Sequence, residues 1–246
     1  MKPAAIRIHG VKVDDLGLAE LIGRSLDVVA RRTPATFAYV NAQVLNTAYQ
    51  DAELRRFLNE AAVTYCDGFG VRVGAAVKGR RLGPRLTGLD WLFPYCRQAS
   101  EAGHRVFIVA GRVGVADHAG RVLRETFPRL RVVGASTGYL DDAASAGVVE
   151  QINAREADVV FVGMGTPRQE QWVARHRENI QAPLVWVVGA LFDFVAGHER
   201  RGSRLLTSCG FEWLARWWAH PIRRWRRYLV GNPVFLWRVL REAISG

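Results

Sequence analysis

The chain has 246 residues, 49% of them apolar, and a formal net charge of +11. That length accommodates one large α/β domain or a domain with an appendage, and the apolar fraction excludes a globally disordered chain. Three scattered cysteines, Cys66, Cys96 and Cys209, argue against a disulfide framework or a zinc site and fit a reduced, cytosolic chain.

The first fifteen residues contain no long apolar run, which predicts no secretory signal. No stretch reaches the ~18 uninterrupted apolar residues of a membrane span. The longest, Pro183–Gly197, is broken by Asp193 and reads as a buried strand and its following turn. A soluble or peripheral protein is expected. In chain order, Tyr39-Val40-Asn41 follows the apolar Phe37-Ala38, and Asn41 fits a turn or cap. Ala48–Ala62 has a helical pattern and Val63–Cys66 a strand-like one. Helical Leu89–Ala102, Val115–Thr126, Ala143–Arg155 and Pro167–Asn179 alternate with strand-like Arg105–Val109, Arg131–Val133, Asp158–Val162 and Leu184–Val188. This alternation predicts an α/β fold, a Rossmann-like, mostly parallel sheet with helices on both faces. Such sheets bind ligands beyond the carboxyl ends of their strands, so the residues just after each strand are the candidates.

Asp67 follows Val63–Cys66 and precedes Gly68-Phe69-Gly70. A carboxylate there is either a general base or a helix N-cap, and spacing alone favours the cap. Arg85, in Pro84-Arg85-Leu86-Thr87-Gly88, stands before another helix start, as an anion-holding group or a solvated loop charge. Gly163-Met164-Gly165-Thr166-Pro167 follows a strand and opens a helix, where backbone N–H groups can cradle a phosphate. It is not a dinucleotide fingerprint, because Arg168 occupies the third glycine position. Thr166 and Gln169 also fit a capping box with Pro167 at the first helical position. There is no Asp-x-Asp pair, no His-Glu-x-x-His, no Walker loop and no Gly-x-Ser-x-Gly. A diphosphate substrate would then be neutralised by arginine rather than by a metal.

Residues 198–246 form the expected second unit, a C-terminal helical, Arg/Trp-rich appendage to an α/β core of residues 1–197. This stretch carries ten arginines against three glutamates, +7 of the total charge. It reads as short helices interrupted by Pro221 and by Gly231-Asn232-Pro233. Within Ile222–Leu229, Ile222, Trp225 and Leu229 fall at helical spacing opposite four arginines. That pattern fits an interfacial membrane helix, a helix packing its Trp face on the core, or a nucleic-acid contact.

The ordered set Asn41, Asp67-Gly68-x-Gly70, Arg85-x-Thr87-Gly88-x-Asp90, Gly163-x-Gly165-x-Pro167-x-Gln169-Glu170, Gly189-x-x-x-Asp193, Glu212-Trp213-Leu214-x-Arg216 and Pro221-x-Arg223-x-x-Arg226-Arg227-Tyr228 resembles the bacterial WecG/TagA/CpsF glycosyltransferase family. The resemblance runs from about Tyr39 to about Leu236. It implies a metal-independent, inverting transferase without cofactor, moving a hexosyl unit from a UDP-sugar to a sugar on a polyprenyl diphosphate at the inner face of the cell membrane. The setting would be teichoic acid, capsule or exopolysaccharide synthesis, with no nucleic-acid partner and with a homo-oligomer conceivable. Asp67 matches the family's base. Tyr39, Asn41, Arg85, Gly163, Gly165, Gln169, Glu170 and Asp193 match its pocket, and Arg201, Arg216, Arg223 and Arg226 the arginines that complete the site. The chain departs from the family at Tyr39 (usually Thr), at Pro84 (usually Glu), at Arg201-Gly202-Ser203 (usually Arg-Ala-Pro) and at His220 (usually Glu), which leaves the donor open among N-acetylmannosamine, its uronic acid, glucose and similar sugars. A nicotinamide-dependent oxidoreductase and a nucleic-acid-binding module are the alternatives from other classes.

Overall fold

The computed structural model describes residues 5–198, 225 and 229–245. Eight strands form one sheet: β1 Ala5–Ile8, β2 Val11–Asp14, β3 Ala35–Val40, β4 Val63–Cys66, β5 Arg105–Ala110, β6 Arg131–Ser136, β7 Val159–Gly163 and β8 Leu184–Val187. Their order across the sheet is β1-β2-β4-β3-β8-β7-β5-β6. Only β1 runs against its neighbour; every other pair is parallel. This is the α/β, mostly parallel architecture that the alternation predicts.

The central strands are buried on both faces, so successive side chains feed two separate cores. On one face Ala38, Val40, Val160, Val162, Val185 and Val187 pack under α2 Ala42–Gln50, α3 Ala52–Glu60, α7 Asp142–Ala154 and α8 Arg168–His176. On the other, Phe37, Tyr65, Phe161, Leu184 and Trp186 pack under α1 Leu18–Arg31, α5 Gly88–Glu101, α6 Val115–Thr126 and the short α9 Leu191–Val195. Helix α4, Phe69–Val77, completes the first layer.

Three expectations need correction. The helical pattern over residues 48–62 is two helices, because the Asp51 carboxylate accepts from the Leu54 N–H at 2.9 Å and caps a second one. The sequence pattern did not reveal the β1–β2 hairpin, α1 or α4, and Phe37-Ala38 belongs to the six-residue strand β3. Gly231-Asn232-Pro233 does not interrupt a helix: the π-helical turn of Leu229 and Val230 runs directly into α10, Gly231–Ser245. Pro221 and most of Ile222–Leu229 lie outside the described residues.

Helix α10 packs on α2 and α4 and buries Phe235 and Val239. Phe235 approaches Gly74 so closely that a Cβ on that glycine would stand 3.0 Å from the ring. Polar contacts frame this seat. Glu242 accepts from the His9 backbone N–H at 3.0 Å, lies 3.3 Å from the His9 ring and 3.0 Å from the Lys78 ammonium. Asn46 donates to the Gly231 carbonyl at 2.7 Å. Burial holds the His9 ring below its ordinary range against the pull of Glu242. Burial alone would raise Glu242, but Lys78 and His9 outweigh it and hold the carboxyl low.

Phe235→Ala is expected to cost about 3 kcal/mol of stability in chemical denaturation, the loss typical of an emptied aromatic core site. Both groups at the seat are depressed in the folded state. Their contribution is therefore present above their unfolded values and is lost as pH falls through the folded ones. The denaturation midpoint should fall as pH drops from about 7 to about 4, and His9→Gln, which removes the depressed imidazole, should flatten the upper part of that slope.

Candidate functional site

Strands β4, β3, β8 and β7 are neighbours, and the residues at and beyond their carboxyl ends enclose a cleft of about 220 Å³. A larger groove, about 1100 Å³, runs between α3 and α8. It adjoins the amino end of β3 and the Ala61-Ala62 step before β4, and mixes Glu53, Arg56 and Arg175 along an apolar floor. The smaller cleft is the candidate site because ligands of open parallel sheets bind beyond the carboxyl ends, and because it gathers the carboxylate, the amide and the glycine turns.

Asp67 lines the cleft directly after β4. Its N–H donates to the Val40 carbonyl at 2.9 Å, which extends the β3–β4 pairing by one step. Gly68 takes the N-cap position of α4, so Asp67 stands one residue outside the cap. Beneath it lies a rigid aromatic block. Trp91 stacks on Trp186 at 3.9 Å between ring centres, and the Trp186 indole N–H donates to the Tyr65 hydroxyl at 3.3 Å. Burial, and after it the neighbouring Asp67 carboxylate, push the Tyr65 phenol far up, so it stays protonated.

Asn41 lines the same cleft and caps α2: its side-chain oxygen accepts from the N–H groups of Gln43 and Val44 at 3.0 and 3.1 Å. The cap uses the oxygen, which leaves the amide nitrogen for a ligand. Tyr39, paired in register with Tyr65, also lines the cleft. Arg85 is half-buried and is not a lining residue. The Leu86 N–H donates to the Cys66 carbonyl at 2.8 Å, which lays this segment along the end of β4. Burial pushes the Cys66 thiol up to about 12, while Arg72 and Arg85 pull the other way, so the Arg85 charge reaches the Cys66–Asp67 corner. Cys66 and Cys96 are both buried and free.

The segment after β7 departs from the capping-box expectation. Helix α8 starts at Arg168, and the Thr166–Pro167 peptide is cis. The Thr166 hydroxyl donates to Glu170 at 2.9 Å instead of capping, and the Gln169 side-chain oxygen accepts from the Gly189 N–H at 3.0 Å. Gln169 and Glu170 are 0% and 2% exposed, so they stand behind the cleft wall rather than on it. Gly163 ends β7, where a Cβ would lie 2.5 Å from the Gly189 carbonyl oxygen. Gly165 lines the cleft; Gly163 and Asp193 do not, although Asp193 shares α9 with the lining residue Leu191. Arg201, Arg216, Arg223 and Arg226 lie outside the described residues.

Tyr65, Thr87, Gly88, Thr166, Gly189, Leu191 and Phe194 also line the cleft. Strand periodicity could have found Tyr65, two residues before Asp67 and on the same face. Thr87 was legible as a helix start. Its N–H and hydroxyl both donate to Asp90, at 3.0 and 2.7 Å.

Residues 6–246 match the glycosyl transferase WecG/TagA/CpsF family. Among the relatives are two proteins named N-acetylglucosaminyldiphosphoundecaprenol N-acetyl-beta-D-mannosaminyltransferase, from Staphylococcus aureus strains MW2 and NCTC 8325 / PS 47. Each is 24% identical over 243 residues, covering 97% of this chain and 93% of its own length. A match across nearly the whole chain, on a parallel sheet whose carboxyl edge carries Asn41, Asp67 and the Gly165 and Gly189 turns, places this protein in the WecG/TagA/CpsF glycosyltransferase family.

Proposed function

We propose that the chain is an inverting hexosyltransferase that works without a metal, taking its sugar from a UDP-sugar and passing it to a sugar on a polyprenyl diphosphate. The observation that carries this reading is the place of Asp67, a carboxylate on the cleft wall beside Asn41 and above a rigid aromatic block. In one displacement the acceptor hydroxyl oxygen bonds to the anomeric carbon, the bond from that carbon to the UDP oxygen breaks, and UDP leaves with the electron pair. Asp67 takes the hydroxyl proton. The growing charge on UDP is met by arginines, Arg85 among the described residues and Arg201, Arg216, Arg223 and Arg226 outside them, together with N–H groups of the Gly163–Gly165 turn. Asn41 orients a sugar hydroxyl. The relatives, named for action on N-acetylglucosaminyldiphosphoundecaprenol, support the acceptor class.

Such an acceptor is held in a bilayer, and α10 has a face suited to meet one. Pro233, Trp237, Leu240 and Ile244 recur at helical spacing on its outer side, with Trp237 59% and Ile244 85% exposed. The Arg241 guanidinium lies 5.8 Å from the Trp237 ring centre. An apolar stripe with aromatic and cationic members suits the interface of an anionic leaflet. Among the described residues no helix is long and apolar enough to cross a membrane. We therefore read residues 198–246 as an appendage that serves both the site and peripheral attachment at the inner face.

With a panel of UDP-sugars and polyprenyl-diphosphate-linked N-acetylglucosamine or glucose, transfer from one donor should persist in chelator. Asp67→Asn should lower the rate by at least about 100-fold; a rate that survives the substitution removes Asp67 as the base. In flotation with anionic vesicles, Trp237→Ser with Leu240→Ser should cut binding at least about tenfold without lowering the melting temperature. Unchanged flotation would remove this face from membrane attachment.

A further inference from the structure

Glu170 is not placed to touch a substrate, yet its hydrogen bonds lead to the cleft. Its Oε1 accepts from the Thr166 hydroxyl at 2.9 Å and from the Gln169 Nε2 at 2.8 Å. Its Oε2 is buried and, among the described residues, has no hydrogen-bond partner. A buried oxygen left without a partner is costly, so a carboxyl at this place needs a reason beyond packing.

The reason lies in the Gln169 amide. An amide can present either end to a neighbour, and only its partners decide which. Facing the Glu170 acceptor, Gln169 must turn its NH₂ toward α8 and its oxygen toward the Gly189 N–H, 3.0 Å away. Gly189 sits in the turn after β8 with φ of +61°, and a Cβ there would stand 2.5 Å from the Tyr39 hydroxyl. The turn is thus fixed on one side by Gln169 and presses on Tyr39 on the other. Thr166, Gly189 and Tyr39 all line the cleft.

We propose that Glu170 is a positioning residue for the transfer reaction, fixing the orientation of the Gln169 amide and through it the Gly189 turn that backs Tyr39. The role rests on the reaction proposed above. Burial raises the Glu170 carboxyl toward its neutral form, in which it still accepts both hydrogen bonds. Glutamine keeps an accepting oxygen at that point. Leucine removes the acceptor at similar size and frees the Gln169 amide to flip.

The test uses the full chain and two readouts, amide exchange at Gly189 and steady-state transfer. Glu170→Leu should speed Gly189 exchange by at least about tenfold and lower kcat by about 100-fold, the size of effect that ~1 Å of misplacement produces, with the donor KM within about threefold. Glu170→Gln should keep both readouts within about threefold. Gln169→Met, which leaves Glu170 in place and cuts the relay, should match Glu170→Leu and decides the question if the leucine variant does not fold. Adding Tyr39→Phe to Glu170→Leu should lower kcat no further, because residues acting as one unit are not additive. Unchanged Gly189 exchange in Glu170→Leu and Gln169→Met overturns the relay, whatever the transfer assay reports. Losses that multiply in the double variant, or a glutamine variant as impaired as the leucine one, overturn it too. Absence of transfer by the wild type from every donor overturns the reaction assignment instead, and the exchange result still judges the relay.

Discussion

The carbonyl oxygen of Gly189 lies 2.5 Å from the point where a side chain on Gly163 would begin, and this contact between the ends of β7 and β8 shapes the middle of the cleft. Any side chain at Gly163 would push the β8 turn away from β7. Gly189 meets Tyr39 of β3 at the same separation on its other side. The ends of three adjacent strands are therefore packed closely, with no slack for a Cβ at either glycine. A ligand edge built this way is stiff, and stiffness at the reacting centre is what a displacement reaction requires of its scaffold.

The polar groups behind that edge follow from it. Once the Gly189 turn is buried against Gly163, its N–H has no water and must find an acceptor in the protein. Gln169 supplies one, and Gln169 in turn needs a partner for its NH₂, which Glu170 supplies. The buried Gln-Glu pair is thus the second half of a close glycine contact. The same logic holds at the adjoining strands. The Asp67 N–H prolongs β3–β4 pairing through Val40, and the Asn41 cap ends β3 and starts α2 within a single residue. Position on the cleft comes from sheet register, and register comes from the two-sided burial of the strands.

That burial explains what could be read from the sequence. Val115–Thr126 coincides with α6, and Val63–Cys66 with β4, because alternating or amphipathic apolar patterns are written locally. The break at Asp51 was legible only as a change of phase, since Leu45 and Ala48 share one helical face while Leu54 and Leu58 fall on another, and the cap itself depends on one side chain. Asp67 and Asn41 were legible as residues just after strands. The placing of Gln169 and Glu170 behind the wall was not, since a turn-to-turn contact between residues twenty apart leaves no periodic trace. Thr166, Pro167 and Gln169 spelled a capping box by type, but Gly189 competes for Gln169 and Glu170 for Thr166, so tertiary hydrogen bonds displaced the local motif.

The described elements that flank the arginine-rich stretch both reach toward the cleft. On one side the chain leaves α9, which contributes Leu191 and Phe194 to the lining, and ends its described course at His198. On the other it rejoins α10, whose first carbonyl, that of Gly231, accepts from Asn46 in α2, the helix that Asn41 caps at the cleft. The described segments on either side of residues 199–224 thus both attach to elements that border the cleft. Phe235, Val239 and the Glu242 contacts with His9 and Lys78 fix the second segment to the core. The outer stripe of α10 points away from that seat. His9 belongs to the β1–β2 turn and Lys78 ends α4, so α10 starts near the cleft at Gly231 and runs back toward the amino ends of the strands.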